Sequence, residues 1–412
     1  MSTVRPFLGL RPVPEHVEKV AAFPYDVVNS EEARALAEGN PYSFLRVSRP
    51  EINLDPSVYI YDEIVYKTGA EKMRSLIRDG IFIREKTPAL YVYRQQMGDH
   101  VQTGLVGCAS CEEYDRDIIK KHEFTRADKE EDRVRHCIAL NANSGPVFLS
   151  YRSVPEIDNL ILDVTREKPL YHFTKEDGIT HTFWIISEPE RQERIVRAFA
   201  EHVPVLYVAD GHHRSASAAR VRRIRKEANP CHTDHEEYNF FLAVFFPHNQ
   251  LKIMDYNRVV KDLNGLTQEQ FLAKVQEKFI VTPASSPRPT RRRHISMYLN
   301  KAWHTLEPKA GTFPENDPVR SLDVSILQEN LLAPVLGIAD PRRDNRIDFV
   351  GGIRGLGELE KRVQAGWAVA FALYPTSMDE LMAIADSGNT MPPKSTWFEP
   401  KLRSGLVVHS LD

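Results

Sequence analysis

Between residues 203 and 225, the hydrophobic and polar positions predict a strand, a turn and a helix. Val205–Val208 form a short apolar run of strand-favouring residues, which is typical of a buried strand. Asp210 and Gly211 interrupt this run, because glycine adopts backbone conformations that other residues resist. From Ser215 onwards the apolar residues recur at helical spacing. The pattern therefore places the three polar residues 212–214 at the start of a helix.

The rest of the chain alternates between strand and helix patterns, and its composition shifts near Asp255. The apolar run at 240–246 has no polar alternation, which predicts a central strand buried on both faces. These patterns predict an α+β fold with two domains, 1–254 and a smaller α/β domain, 255–412, whose C-terminal tail returns to the cleft of the first. Helices are also predicted at 58–78, 190–199, 267–279, 324–332 and 378–385, and from an N-cap at Ser30; strands at 89–93, 103–107, 146–149, 182–186, near 294–306 and at 368–374.

The helix start at residues 212–214 is a candidate anion site. Free backbone N–H groups and the positive end of the helix dipole favour phosphate at such a position. His212 and His213 add hydrogen-bond donors, and the guanidinium of Arg214 can hold a phosphate with two parallel hydrogen bonds. The alternative is a surface turn with two hydrated histidines. The unbroken run from Asp210 to Arg214 between strand and helix favours the phosphate site.

A second polar segment precedes another predicted helix. Thr125 is placed to cap this helix, so His122 and Glu123 fall on the loop before it, where they can reach a pocket. A carboxylate beside a phosphate site can take the proton of an attacking hydroxyl. The alternative is an ordinary solvated glutamate. Arg133 follows on the same helix and is a further candidate for contact with substrate or phosphate.

Three other segments carry candidate chemistry. Lys394, Ser395 and Thr396 offer an ammonium and two hydroxyls that could complete a phosphate or carboxylate pocket from the second domain, or could belong to a structural loop. The irregular loop at 24–26, Pro-Tyr-Asp, is either functional or a structural turn. The cysteine pair Cys108 and Cys111 has no second pair at zinc-site spacing, and Cys231 with His232 and His235 has no fourth ligand nearby, so neither predicts a structural zinc site.

Composition excludes several classes of function. The 412 residues carry a formal net charge of −3, which gives no general attraction to nucleic acid or to an anionic membrane. No run is long and apolar enough to cross a bilayer, and the chain starts without the apolar core of a signal peptide. Four cysteines in a chain of this length indicate reduced thiols and a cytoplasmic protein. We therefore expect small-molecule ligands.

The motifs taken together resemble a known family over essentially the whole chain. They are R-P-F, P-Y-D-V, H-E-x-T with a later D-R, A-D-G-H-H-R, and a terminal P-K-S-T-W-F-x-P-K-L-x-S-G-L. In this order they resemble the bacterial and archaeal domain of unknown function family 1015. That likeness identifies a family without implying an activity.

Two of the boxes also resemble the ParB/sulfiredoxin superfamily, and most closely its free-serine kinases. In those kinases an H-E box supplies a catalytic glutamate, and a D-G-x-H-R box opens a helix that holds nucleotide phosphates. His122 and Glu123 match the first box, while Asp210, Gly211, His213 and Arg214 match the second. The resemblance implies a mixed-sheet, ParB/sulfiredoxin-like nucleotide-binding core with N-terminal additions. The wide separation of the boxes implies an insertion, and no DNA-binding helices of the ParB type follow.

These observations lead to a hypothesis of nucleotide-dependent phosphoryl transfer to a small hydroxyl metabolite, L-serine or a similar compound. ATP or ADP is the expected donor, with Mg²⁺ held by Asp210 directly or through water. Glu123, Asp210 and Arg214 are the candidate catalytic residues, and residues 211–214 the phosphate-binding segment. The alternative is a regulatory protein that binds a nucleotide without transferring a phosphoryl group. Nucleic-acid binding by analogy with ParB is disfavoured by the charge balance.

Overall fold

The structure is a computed structural model that describes residues 1–412, and the chain divides into two compact units. The first unit consists of Met1–Leu251 together with Pro400–Asp412, and the second of Lys252–Glu399. The first unit therefore ends close to the predicted boundary at residue 254. The last thirteen residues belong to the first unit and not to the second.

The first unit is built on a mixed eight-stranded sheet. Phe240–Pro247 lies in its interior, parallel to one neighbour and antiparallel to the other, as its unbroken apolar run predicts. Nearly all side chains of this strand are buried. In spatial order the strands are Ile119–Lys120, Leu206–Asp210, Val147–Tyr151, Phe240–Pro247, His100–Ser110, Leu90–Met97, Thr180–Ile186 and Tyr171–Thr174.

A smaller antiparallel sheet and nine α-helices complete this unit. The small sheet brings the C-terminal strand Val408–Ser410 between an N-terminal strand and Ala142–Asn143, in the order Phe82–Arg84, Gly9–Pro12, Val408–Ser410, Ala142–Asn143. The helices are Val17–Val20, Ser30–Ala37, Leu45–Ser48, Glu63–Arg78, Cys111–Asp115, Ala127–Leu140, Pro155–Val164, Pro189–His202 and His212–Ala228.

The edge of the large sheet positions the polar segments singled out by the sequence. Ile119–Lys120 and Leu206–Asp210 run parallel, so their carboxyl ends meet at the same edge. Val147–Tyr151 is antiparallel to Leu206–Asp210, so it begins at that edge. The loop with residues 122–123, the turn at residues 210–211 and the loop before Val147 are therefore brought together by strand pairing alone.

The second unit is built on an antiparallel six-stranded sheet. Its core packs Val259, Tyr298, Val350 and Leu359 against one another. In spatial order the strands are Phe279–Pro283, Ala302–Pro308, Ile295–Leu299, Val369–Ala372, Tyr256–Val260 and Ile347–Gly351, with a separate pair of Lys252–Met254 and Trp397–Glu399. Its helices are Gln268–Lys278, Asp323–Leu327 with a π-helical continuation Gln328–Leu332, Leu356–Gln364 and Met378–Asp386.

The predicted α+β class is confirmed, and the main differences from prediction lie at helix starts. Asn29, not Ser30, caps the first predicted helix, in a capping box with Glu32. Thr125 does not cap the helix Ala127–Leu140, because its hydroxyl donates to Glu130 instead. None of the helices has an apolar stretch long enough to span a bilayer.

The buried carboxyl group of Asp323 in the second unit predicts a pH-dependent stability. Burial raises the pKa of Asp323 to about 7. The hydrogen bond from the backbone N–H of Arg293 lowers this pKa, and the negative charge of Glu380 raises it. An unfolded aspartate ionises near its ordinary pKa of about 4. The free energy of unfolding of this unit should therefore fall by a few kcal/mol as the pH rises from about 4 to about 7.

Asp323→Asn should remove this part of the pH dependence and stabilise the second unit at pH 8. Denaturant unfolding of the full chain, followed by tryptophan fluorescence, checks this, since three of the four tryptophans lie in this unit. Asp379→Asn, at an exposed position of the same unit, is the control. An unchanged pH dependence in Asp323→Asn would contradict the prediction.

Candidate functional site

The helix His212–Ala228 begins at the first of the three polar residues that the sequence pattern places at a helix start. Gly211 is its N-cap, with φ of 96°, and its N–H donates to the Oδ1 of Asp210 over 3.0 Å. Because glycine alone adopts this left-handed conformation readily, the chain can turn directly from strand into helix. No side chain caps the first turn. The backbone N–H groups of His212, His213 and Arg214 are thus left for solvent or a ligand.

Arg214 is buried beside this turn and is held by acceptors on three sides. Its Nη2 lies 3.4 Å from Asp26 and 3.7 Å from Asp210, and its Nη1 donates to the carbonyl of Pro146. Both Nη atoms therefore already contact protein acceptors. The sequence prediction had these atoms free to hold a phosphate with two hydrogen bonds. The Nε of Arg214 is buried and has no hydrogen-bond partner. An unpaired buried donor is unusual and is a mark of a site that receives a ligand or water.

Asp210 is surrounded by cationic groups. Lys401 Nζ lies 3.3 Å from its Oδ2, on the side opposite to the N–H of Gly211. Burial favours the neutral acid, but Lys401 and Arg214 outweigh it and lower the pKa of Asp210 to about 2. The Oδ2 of Asp210 thus already faces Lys401 and Arg214, and its contact with Mg²⁺, direct or through water, stays a prediction.

His122, Glu123 and His212 form a second cluster at the helix start. The rings of His122 and His212 meet edge to face at 4.5 Å between centroids. Glu123 Oε2 lies 4.0 Å from His212 Nδ1, and its side chain is about half-exposed, at 41 %. Burial lowers the pKa of His122 to about 4 and that of His212 well below its usual range. Both imidazoles are therefore neutral at physiological pH.

His213 points to a different neighbour. The backbone N–H of Arg126 donates to its Nε2 over 3.1 Å, so this nitrogen is an acceptor. Burial lowers the pKa of His213 as well. His213 therefore ties the loop before the helix Ala127–Leu140 to the helix start, and only its Nδ1 carries a proton for a ligand.

A cleft of about 510 Å³ that opens to solvent adjoins Arg214. Arg133 lies in its wall, paired with Asp132 at 2.7 Å and stacked on the ring of Tyr25 at 4.0 Å. Its lining includes Tyr25, Ser48, Arg133, Ser144, Gly145, Arg214, Ser217 and Ser404, but not His122 or Glu123.

The predicted residues at 394–396 lie in the second unit. The carbonyl of Lys394 accepts from Arg258, and that of Ser395 accepts from Thr376. The Ser395 hydroxyl donates to Pro392. Within this unit the segment makes the contacts of a structural loop, and its contribution to a phosphate pocket stays a prediction.

Lys401 was not singled out from the sequence, and Tyr25 and Asp26 were predicted only as part of an irregular loop that is either functional or structural. Tyr25 and Asp26, in the P-Y-D-V motif, contact Arg133 and Arg214. Lys401, in the terminal motif, contacts Asp210. Each of these residues belongs to a motif of the resemblance, so the motifs could have identified them. The local sequence pattern around them does not predict their contacts with charged residues.

Comparisons with known proteins give a family and distant structural likenesses. A family model described as "Protein of unknown function (DUF1015)" matches residues 4–325. No curated protein sequence matches significantly. A free serine kinase variant in complex with ADP is similar at 13 % identity and a TM-score of 0.37, over 70 % of this chain and 89 % of that chain. A C-terminally truncated SbnI from Staphylococcus aureus is similar at 12 % identity and a TM-score of 0.38, over 73 % and 85 %.

Gly211→Ala should distort the helix start. An added Cβ would lie 3.1 Å from the Nε of Arg214, and alanine is strained at this φ. We expect a loss of about 1–2 kcal/mol in the free energy of unfolding of the first unit, measured by denaturant titration.

Gly357→Ala is the matched control. It lies in the helix Leu356–Gln364 with open space around the added atom, so it should be neutral or stabilising. Equal effects of the two substitutions would contradict a strained turn at Gly211.

Proposed function

We propose a function for a chain that belongs to the DUF1015 family: it binds a nucleotide by its phosphates and transfers a phosphoryl group to a small hydroxyl metabolite such as L-serine. ATP or ADP is the proposed donor. The observation that carries the proposal is the helix start at Gly211, where uncapped N–H groups and an unpaired buried Arg214 Nε occur together. Such a start favours an anion through both its donors and its dipole.

The cleft beside Arg214 is a suitable place for the rest of the nucleotide. Two buried guanidinium groups, Arg133 and Arg214, line it together with small polar residues. Arginine at such positions favours phosphate, because its planar fork matches the geometry of phosphate oxygens. The absence of a side chain on Gly211 keeps the turn open, since an alanine Cβ would press on Arg214. Asp26 would yield part of its contact with Arg214 to the arriving phosphate.

Glu123 is the proposed general base. Positions 212 and 214 lie on different sides of the helix, so the Glu123 contact with His212 and the cleft beside Arg214 flank the same free N–H groups. Glu123 would take the proton of the acceptor hydroxyl as its oxygen attacks the terminal phosphorus. The bond from phosphorus to the bridging oxygen breaks, and the shortened nucleotide leaves with that oxygen.

The remaining charged groups would stabilise the transfer electrostatically. Arg214 and the helix N–H groups neutralise charge on the phosphoryl oxygens, and Asp210 orients Lys401 and Arg214 toward them. A magnesium ion, where one accompanies the nucleotide, supplies charge neutralisation between the phosphates. Asp210, which also contacts Lys401 and Arg214, would hold that ion directly or through water.

A regulatory protein that binds a nucleotide without transfer is the second candidate. One observation favours it: Glu123 is not among the residues that line the cleft beside Arg214. Both candidates need the phosphate site, and only the kinase needs the base. Substitution of Glu123 therefore separates them.

Glu123→Gln should keep nucleotide affinity and lower turnover by about 10²–10⁴-fold, because it removes only the proton acceptor.

Arg214→Lys should weaken nucleotide binding at least about tenfold, because it loses the guanidinium fork but keeps the charge. Calorimetry with ATP and with ADP measures both affinities. Arg223→Ala, at an exposed position on the same helix, is the control and should bind like the wild type.

A phosphorus NMR time course with nucleotide, Mg²⁺ and a panel of hydroxyl amino acids measures the transfer itself. A new phosphomonoester resonance that depends on one acceptor is the expected result. Nucleotide binding without any transfer would support the regulatory candidate instead. Failure of the wild type to bind either nucleotide would contradict both.

A further inference from the structure

We propose that His122, Glu123 and His212 form a binding site for a divalent first-row transition metal of the Zn²⁺ class. One ligand atom from each residue lies within 4.8 Å of the other two. The site goes beyond the proposed function and does not require that a nucleotide binds, but it shares Glu123 with that function, so Glu123 acts either as the base or as a metal ligand and not as both at once. It also differs from the predicted magnesium position at Asp210.

The fold brings the three ligands together from two parallel strands. His122 and Glu123 follow the strand Ile119–Lys120, while His212 opens the helix after its parallel neighbour. Ligand atoms around a tetrahedral zinc ion stand about 3.4 Å apart, given bonds of about 2.1 Å. The atoms therefore need to approach by about an ångström or slightly more, and the half-exposed Glu123 side chain can supply much of this movement.

The two imidazoles carry the second observation. His122 and His212 are only 2 % and 6 % exposed. The Nε2 of His212 has no hydrogen-bond partner, and the ring of His122 has only the backbone of Val208 near it, outside good hydrogen-bond geometry. Buried polar atoms are normally paired, so such nitrogens in contacting rings are an exception that a ligand would explain. A bound metal ion would take the lone pair of one nitrogen in each ring, which leaves the other nitrogen as an N–H donor.

The donor set determines the class of metal. Two imidazole nitrogens and one carboxylate favour Zn²⁺ and neighbouring divalent ions, whereas Mg²⁺ prefers oxygen ligands alone. Three protein ligands leave at least one coordination position for water or another oxygen donor. Arg214 and Lys401 contribute no ligand atom to the cluster. Metal binding and phosphate binding can therefore be abolished separately.

Titration of the metal-stripped, full-length protein with Zn²⁺ alone, in competition with a chromophoric chelator, tests the site. The wild type should bind one ion at this site, and Co²⁺ should give a visible spectrum without a thiolate charge-transfer band. Glu123→Gln and His212→Gln should each weaken binding at least about tenfold. Should the buried His212 variant fail to fold, the half-exposed Glu123 variant still decides.

Two control variants make the outcome specific. Cys231→Ser combined with His235→Ala removes the other cysteine and histidine cluster and should leave this site unchanged. Arg214→Lys should bind the metal like the wild type even if it loses the nucleotide, so failure of the phosphate site is distinguished from failure of the metal site. The proposal is overturned if the wild type binds no Zn²⁺, if Glu123→Gln binds it equally well, or if only the Cys231 and His235 variant loses it.

Discussion

The parallel pairing of Ile119–Lys120 with Leu206–Asp210 is the constraint on which the candidate site depends. It is a short contact, with only two residues of each strand in register. It nevertheless aligns the carboxyl ends of two strands, so the loop with Glu123 and the turn at Gly211 share one edge of the sheet. Ligands commonly bind at the carboxyl ends of parallel strands, where loops and helix starts converge. The same edge here carries Glu123, Asp210 and the helix start at Gly211.

A network of charges around the buried guanidinium of Arg214 then fixes this edge. Arg214 is shared by Asp26, Asp210 and the carbonyl of Pro146, and Lys401 also contacts Asp210. Burying the guanidinium of Arg214 is costly unless it is paired, so these ion pairs help to keep it in place. The network also brings distant parts of the chain together. The ion pairs join residues 188 and 191 positions apart in the sequence.

The histidines on the other side of the helix start differ from Arg214 in charge. His122 and His212 are neutral because burial lowers the pKa of each. Neutral imidazoles are poor partners for phosphate and good ligands for metal ions. His212 and Arg214, which are neighbours in the A-D-G-H-H-R motif, therefore lie in different chemical surroundings in the structure. The side of Arg214 suits an anion, and the side of His212 suits a cation.

Local pattern was sufficient for the parts of the fold that depend on neighbouring residues. The strand, glycine turn and helix around Gly211 and the central strand at residue 240 follow from apolar runs and the freedom of glycine. His212, His213 and Arg214 show no apolar periodicity of their own, so the helix that starts with them was predicted from the pattern that follows Ser215. The roles of Asp26 and Lys401 could not be predicted in this way, because they arise from contacts between distant segments. Tertiary pairing, not propensity, decides which charged residues meet.

Hydrogen exchange at the backbone of His212, His213 and Arg214 tests the central claim most directly. These N–H groups have no capping partner, so they should exchange rapidly in the free protein. Saturating ATP or ADP should slow their exchange strongly, because phosphate oxygens would accept their hydrogen bonds. Unchanged exchange at these three residues, with protection elsewhere or nowhere, would contradict a phosphate site at this helix start.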